Sequence, residues 1–159
     1  MKINIVSVGN IKEKYLIDAI AEYSKRLSKY AKINHVTLPD LAISDNPSLK
    51  DIEIIKDKEG KKIIEALDND SYIIVLDLKG QMITSEELAE KIDEIFTYNS
   101  SSITFIIGGS LGLSDEVIKL ANYRLCISKM TFPHKLCKVI LLEQIYRAFK
   151  INNHETYHK

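Results

Sequence analysis

Apolar and polar residues change period several times along the chain. Lys2–Val8 carries Ile3, Ile5, Val6 and Val8 in a strand-like pattern that stops at Gly9-Asn10. Lys12–Tyr30 then spaces Leu16, Ile20, Tyr23, Leu27 and Tyr30 by threes and fours, which predicts an amphipathic helix. Ile33–Leu38 predicts a second strand ended by Pro39, and Asp40–Ser48 is a polar connection. Leu49–Leu67 returns to helical spacing as a charged surface helix, with Gly60 as the point where it could be interrupted. Tyr72–Leu76 is an unbroken apolar run, the mark of a strand covered on both faces, and Asp77-Leu78-Lys79-Gly80-Gln81 leads out of it.

Thr84 and Glu87 form a capping-box pattern that opens a helix through Leu88, Ile92, Ile95 and Phe96. Ile103–Ile107 is another continuous strand that ends in glycine, and Ser114-Asp115-Glu116 caps a short helix through Val117, Ile118 and Ala121. Arg124–Ile127 predicts the last strand. Leu136–Phe149 is a helix apolar around most of its circumference, for which a subunit interface is the simplest burial. Strands alternating with helices predict one α/β domain over 1–159, a mostly parallel sheet with helices on both faces.

Composition adds little to the fold and something to the chemistry. The 45% hydrophobic and 28% charged content is that of an ordinary soluble domain, which argues against disorder. Net charge is zero, yet residues 1–123 hold 15 Lys/Arg against 20 Asp/Glu, while 124–159 hold seven against two. The basic C-terminal third suits local contact with a polyanion. The start resembles a strand and not a signal peptide, no run matches a membrane span, and Cys126 and Cys137 form no disulfide or zinc pattern. A cytoplasmic protein without membrane or metal partners is the expectation.

Three stretches carry candidate chemistry. Gly108-Gly109-Ser110-Leu111-Gly112-Leu113 follows a strand but is neither a dinucleotide fingerprint nor a P-loop. Asp115 and Glu116 just beyond would repel a phosphate, so a neutral or cationic ligand fits better, and a plain tight turn remains open. Ser128–His134 reads either as a loop with a buried Phe132 and a Pro133 stop or as a second wall of a site. His134 and Cys137 are only two ligands, too few for a metal. The tail His154–Lys159 is either frayed or, following a buried helix, held near something where Tyr157, His158 and Lys159 offer stacking, proton transfer and phosphate attraction.

Taken in order, these stretches resemble one family over essentially the whole chain: the ribosomal large-subunit pseudouridine N3-methyltransferases of the SPOUT superfamily. The resemblance rests on Lys2-Ile3 to Val8-Gly9, Glu22-Tyr23, Asp57-Lys58-Glu59-Gly60, Leu76–Gly80, Ile107–Leu113, Lys129–His134, Glu143–Ala148 and Tyr157-His158-Lys159. It implies a C-terminal trefoil knot, spanning approximately 72–150, which periodicity does not predict because knots are exceptions to the connection rules. It also implies S-adenosylmethionine held by Leu76, Gly108 and the loop Ile127, Ser128, Lys129, Met130, Thr131 and Phe132. The partners it implies are a second copy of the chain, whose tail 151–159 reaches the cofactor pocket, and the ribosome with its 23S rRNA.

The implied reaction is methyl transfer to N3 of a pseudouridine. His158 is then the expected aid to deprotonation, Tyr157 the group that positions the base, and Arg147 the group that stabilises anionic charge. Lys138 stands where the family commonly has Arg, and this implies a weaker RNA contact there. Competing readings are a related knotted methyltransferase acting on tRNA, a non-catalytic nucleotide-binding regulator and a helix-mediated scaffold dimer.

Overall fold

The computed structural model describes residues 1–159. The apolar runs that predict strands form β1 (Lys2–Val8), β2 (Lys32–Leu38), β3 (Tyr72–Gln81), β4 (Ser102–Ile107) and β5 (Tyr123–Leu125). All pair in parallel, in the order β2-β1-β4-β3-β5, so every strand ends at the same edge of the sheet. Between them lie α1 (Lys14–Leu27), α2 (Leu49–Glu65), α3 (Ser85–Glu94), α4 (Asp115–Leu120) and the C-terminal α5 (His134–Asn152). The π-helical turn Ile95–Asn99 extends α3.

Strand residues alternate between two cores because successive side chains point to opposite faces. Ile3, Ile5, Ile74, Ile103 and Phe105 bury the face covered by α1, α3 and α5. Val6, Val8, Val75 and Ile106 pack with Ile63 of α2 and Val117 of α4 on the other face. The capping box at Thr84 forms, with Glu87 N–H donating to Thr84 Oγ1 at 3.2 Å and Thr84 N–H donating to Glu87 Oε2 at 2.7 Å.

Four expectations change. First, α2 runs unbroken through Gly60, whose role is packing: a Cβ there would sit 2.3 Å from Ser114 Oγ and 3.3 Å from Val117 Cγ2. The absent side chain lets α2 lie directly on the start of α4. Gly60→Ala is expected to cost about 1–3 kcal/mol through overpacking, read as a lowered midpoint in thermal or urea denaturation.

Second, Asp77–Gln81 does not leave the sheet. The β3–β5 register shifts between Leu76 and Gln81, so that Leu125 pairs with both and the intervening residues bulge outward. Cys126 N–H donates to Gln81 O at 2.9 Å and fastens the far side of the bulge. β5 itself ends at Leu125, leaving Cys126 and Ile127 in the loop that follows.

Third, the apolar circumference of α5 is buried largely within its own chain. The helix lies between α1 and α3, with Leu141, Leu142, Ile145, Tyr146, Ala148 and Phe149 buried. A subunit interface is therefore not needed to explain most of its composition. Only its first turns keep apolar surface open, at Leu136.

Fourth, Lys138 is 4% exposed and donates from Nζ to Ser7 Oγ of β1 at 3.1 Å. Burial lowers its pKa from the ordinary lysine value. A side chain enclosed between α5 and the sheet does not meet RNA, so its replacement of arginine bears on packing and not on substrate contact.

Candidate active site

The loops after β3, β4 and β5 meet at the shared edge and enclose, with the first turn of α5, a cleft of about 770 Å³. Each wall follows from local sequence. β4 is buried along its whole length and ends at Gly108, where a Cβ would lie 2.9 Å from the carbonyl carbon of Gly112 and 3.1 Å from its oxygen. Gly112 N–H donates to Gly109 O at 3.1 Å, and Gly112 adopts φ +83°, a conformation that favours glycine. The turn thus closes on itself and presents backbone to the cleft. Ser114 then caps α4, its Oγ accepting from Val117 N–H at 3.3 Å.

The β5 loop is tied by Cys126 Sγ, which donates to Ser128 O at 3.2 Å, and by Met130 N–H, which donates to Ser128 Oγ at 3.0 Å. The β3 bulge is held by Asp77, whose Oδ2 accepts from Arg124 Nε at 2.8 Å and whose Oδ1 accepts from Lys79 N–H at 3.1 Å. Both oxygens are engaged. Asp77 therefore shapes the wall on which Leu76 and Leu78 sit, and it is not free to grip a ligand.

Of the cofactor residues expected from sequence, Leu76, Gly108, Ile127, Ser128, Met130, Thr131 and Phe132 line this cleft. Lys129 does not; it is exposed beside it. Leu78, Leu111, Cys126, His134 and Lys56 also line the cleft. Leu111 and His134 belong to the two candidate stretches but carry no ligand assignment from sequence, whereas Leu78, Cys126 and Lys56 read as loop, core and helix-surface positions. Burial pushes the Cys137 thiol up, away from the thiolate that nucleophilic or metal chemistry needs. No group of three or more His, Cys, Asp or Glu side chains is placed to hold a metal ion.

The lining fits a nucleoside-sized ligand with a cationic centre. About half of it is apolar, no Lys or Arg stands on its glycine turn, and the two lysines of the lining, Lys56 and Lys79, sit on α2 and on the β3 bulge. A volume of this size is typical of small-molecule sites.

The expected catalytic residues come together elsewhere, on the outer side of α5 facing α3. Arg147 donates from Nη2 to Glu143 Oε1 at 2.5 Å, and its guanidinium stands 4.7 Å from the Tyr157 ring centroid. Tyr157 packs edge-on against Tyr146 at 5.0 Å and donates its hydroxyl to Glu143 Oε1 at 3.2 Å. Desolvation, then the Glu143 charge, raises the Tyr157 pKa, so the hydroxyl remains a proton donor near neutrality.

His158 bridges Arg147 and Glu86: Nδ1 is 3.3 Å from Arg147 Nη1, and Nε2 is 2.8 Å from Glu86 Oε1. Because a guanidinium can only donate, Nδ1 accepts and Nε2 carries the proton toward Glu86. The Glu86 carboxyl is held below its ordinary pKa by its own backbone N–H and by His158. None of Arg147, Tyr157 or His158 lines the cleft of the same chain.

A cleft at the C-terminal edge of a parallel sheet, glycine-walled but without a phosphate cradle, defines an α/β protein with a small-molecule site at its strand ends. The chain belongs to the SPOUT methyltransferases: the family profile described as "Predicted SPOUT methyltransferase" matches residues 1–158. Membership implies the trefoil knot that periodicity does not predict, and it makes the protein a methyltransferase, which sets aside the non-catalytic regulator and scaffold readings.

The chain is 60% identical to the "Ribosomal RNA large subunit methyltransferase H" of Clostridium botulinum (strain Alaska E43 / Type E3), with 100% of each chain covered. Proteins of the same name from Clostridium acetobutylicum and Clostridioides difficile (strain 630) are 54% and 55% identical over the same full lengths. A methylase-family structure from Haemophilus influenzae Rd KW20 shares the fold at TM-score 0.52 and 16% identity, covering 99% of this chain and 70% of that one.

Proposed function

We propose that this methyltransferase transfers a methyl group from S-adenosylmethionine to N3 of a pseudouridine in 23S rRNA, acting on the assembled ribosome and therefore in the cytoplasm. The observation that carries the proposal is the cleft, which suits a sulfonium-bearing nucleoside, in a chain matched end to end by relatives named as large-subunit rRNA methyltransferases. Leu76, Gly108 and the loop residues Ile127, Ser128, Met130, Thr131 and Phe132 would hold the cofactor, which supplies an electrophilic methyl group when bound. The basic C-terminal third supplies phosphate attraction, so binding to the ribosome should weaken as salt rises.

The rest of the work falls to the tail. N3 must lose a proton before it can attack, and anionic charge then develops on the base. His158 can take that proton at Nδ1 once Arg147 turns from it toward the anionic base, while Nε2 keeps its proton toward Glu86. Arg147, already oriented by Glu143, offsets the negative charge, and Tyr157 offers a flat ring and a hydroxyl to place the base.

Since these groups lie outside their own cleft, the reaction needs a homodimer in which the tail of one subunit meets the cleft of the other. The test is methyl transfer onto ribosomes lacking the modification, with free rRNA and bulk tRNA as the other substrates and the modified position mapped. Methylation of tRNA in place of ribosomes would overturn the proposal.

A further inference from the structure

The motif Asp57-Lys58-Glu59-Gly60 contributes nothing to the roles given so far beyond the packing of Gly60. Glu59 is nevertheless 6% exposed, unusual for a carboxylate. Its Oε1 accepts from Leu41 N–H at 3.1 Å. Its Oε2 accepts no hydrogen bond from the protein and lies behind the glycine turn, where a Cβ on Gly109 would stand 3.5 Å from it. Gly109 itself lines the cleft.

One turn earlier on α2, Lys56 also lines the cleft, and it has no ion-pair partner. Residues three apart share a helix face. A lysine on the cleft wall and a glutamate behind the glycine turn are thus unpaired with each other or with any other charge. Oε2 of Glu59 keeps some access to solvent, since no buried side-chain oxygen is left without a partner, and it is therefore open to a cation.

We propose that Lys56 and Glu59 form the subsite for a zwitterionic α-amino-acid group, the amino-acid end of the cofactor. Glu59 faces the ammonium across the bare backbone of Gly109, and Lys56 faces the carboxylate. The apolar walls at Leu76, Ile127 and Phe132 are left for the nucleoside. This assignment rests on S-adenosylmethionine being the cofactor.

Calorimetric titration of the full-length protein with two ligands tests it: S-adenosylhomocysteine, and 5′-methylthioadenosine, which keeps the nucleoside but lacks the amino-acid end. Glu59→Gln retains an oxygen for Leu41 N–H and removes only the charge; Lys56→Met keeps the length. Each variant is expected to weaken S-adenosylhomocysteine by roughly ten-fold or more and to leave methylthioadenosine unchanged. Wild-type affinity for S-adenosylhomocysteine in both variants would overturn the assignment. So would equal weakening of both ligands with a lowered melting temperature, which would make Glu59 only an anchor for the Leu41 segment. If the unaltered protein binds neither ligand, the cofactor reading fails, and the subsite falls with it.

Discussion

Arg147→Ala is expected to lower turnover on ribosomes by about 10²–10³-fold, the usual effect of removing one preorganised charge stabiliser, while affinity for S-adenosylhomocysteine stays within about two-fold of wild type, since Arg147 does not line the cleft. The guanidinium holds Glu143, covers the Tyr157 ring and faces His158. Its loss removes a transition-state charge and releases the tail together. Arg147→Lys keeps the charge without the fork and should recover only part of the rate. Single-turnover methylation beside calorimetry separates the two quantities. Full turnover in both Arg147→Ala and His158→Ala would reduce the tail to a docking element.

Gly108→Ala should have the converse signature. The new Cβ would press on the backbone of Gly112 and on Leu113 Cδ2 at 3.1 Å, and a backbone cannot rotate aside as a side chain does. The turn must open into the cleft. Strain of about 1–3 kcal/mol corresponds to a loss of cofactor affinity of roughly ten- to a hundred-fold. Because the change lies at the end of β4, beyond its ladder with β1, the melting temperature should fall far less than binding does. Equal affinity in the variant would show that the turn does not contact the cofactor.

Much of this was legible in the residues. Alternation and unbroken apolar runs located all five strands, and the caps at Thr84 and Ser114 located two helix starts, because such signals are local. The misreadings have a common origin in tertiary contact. Asp77-Leu78-Lys79-Gly80 has the composition of a turn, and only pairing with β5 carries the strand on to Gln81. Gly60 looks like a helix flaw until Ser114 is placed against it. The apolar circumference of α5 suggests a partner subunit, yet two helices of the same chain supply most of the cover.

In the site, the glycine turn and the Pro133 loop declared themselves through composition and through resemblance. Lys56 gave no sign of belonging with them, and Glu59 stood out only as part of the resembling motif Asp57–Gly60. Their helix is distant in sequence from the loops it backs, and a charged residue on a charged helix looks solvated.

The strand order also governs how the protein is made. β1 can pair with β2 soon after both are synthesised, but its other edge stays open until Ser102–Ile107 has emerged. The cleft is built largely from loops that follow Leu76, and the tail comes after all of them in the chain. Parallel pairings across such separations form slowly. A chain released early would therefore have no methyl-donor site and would carry an unpaired apolar edge along Ile3–Val8, which invites aggregation. Synthesis must thus pass β4 and the loops beyond it before the sheet closes or the cleft exists.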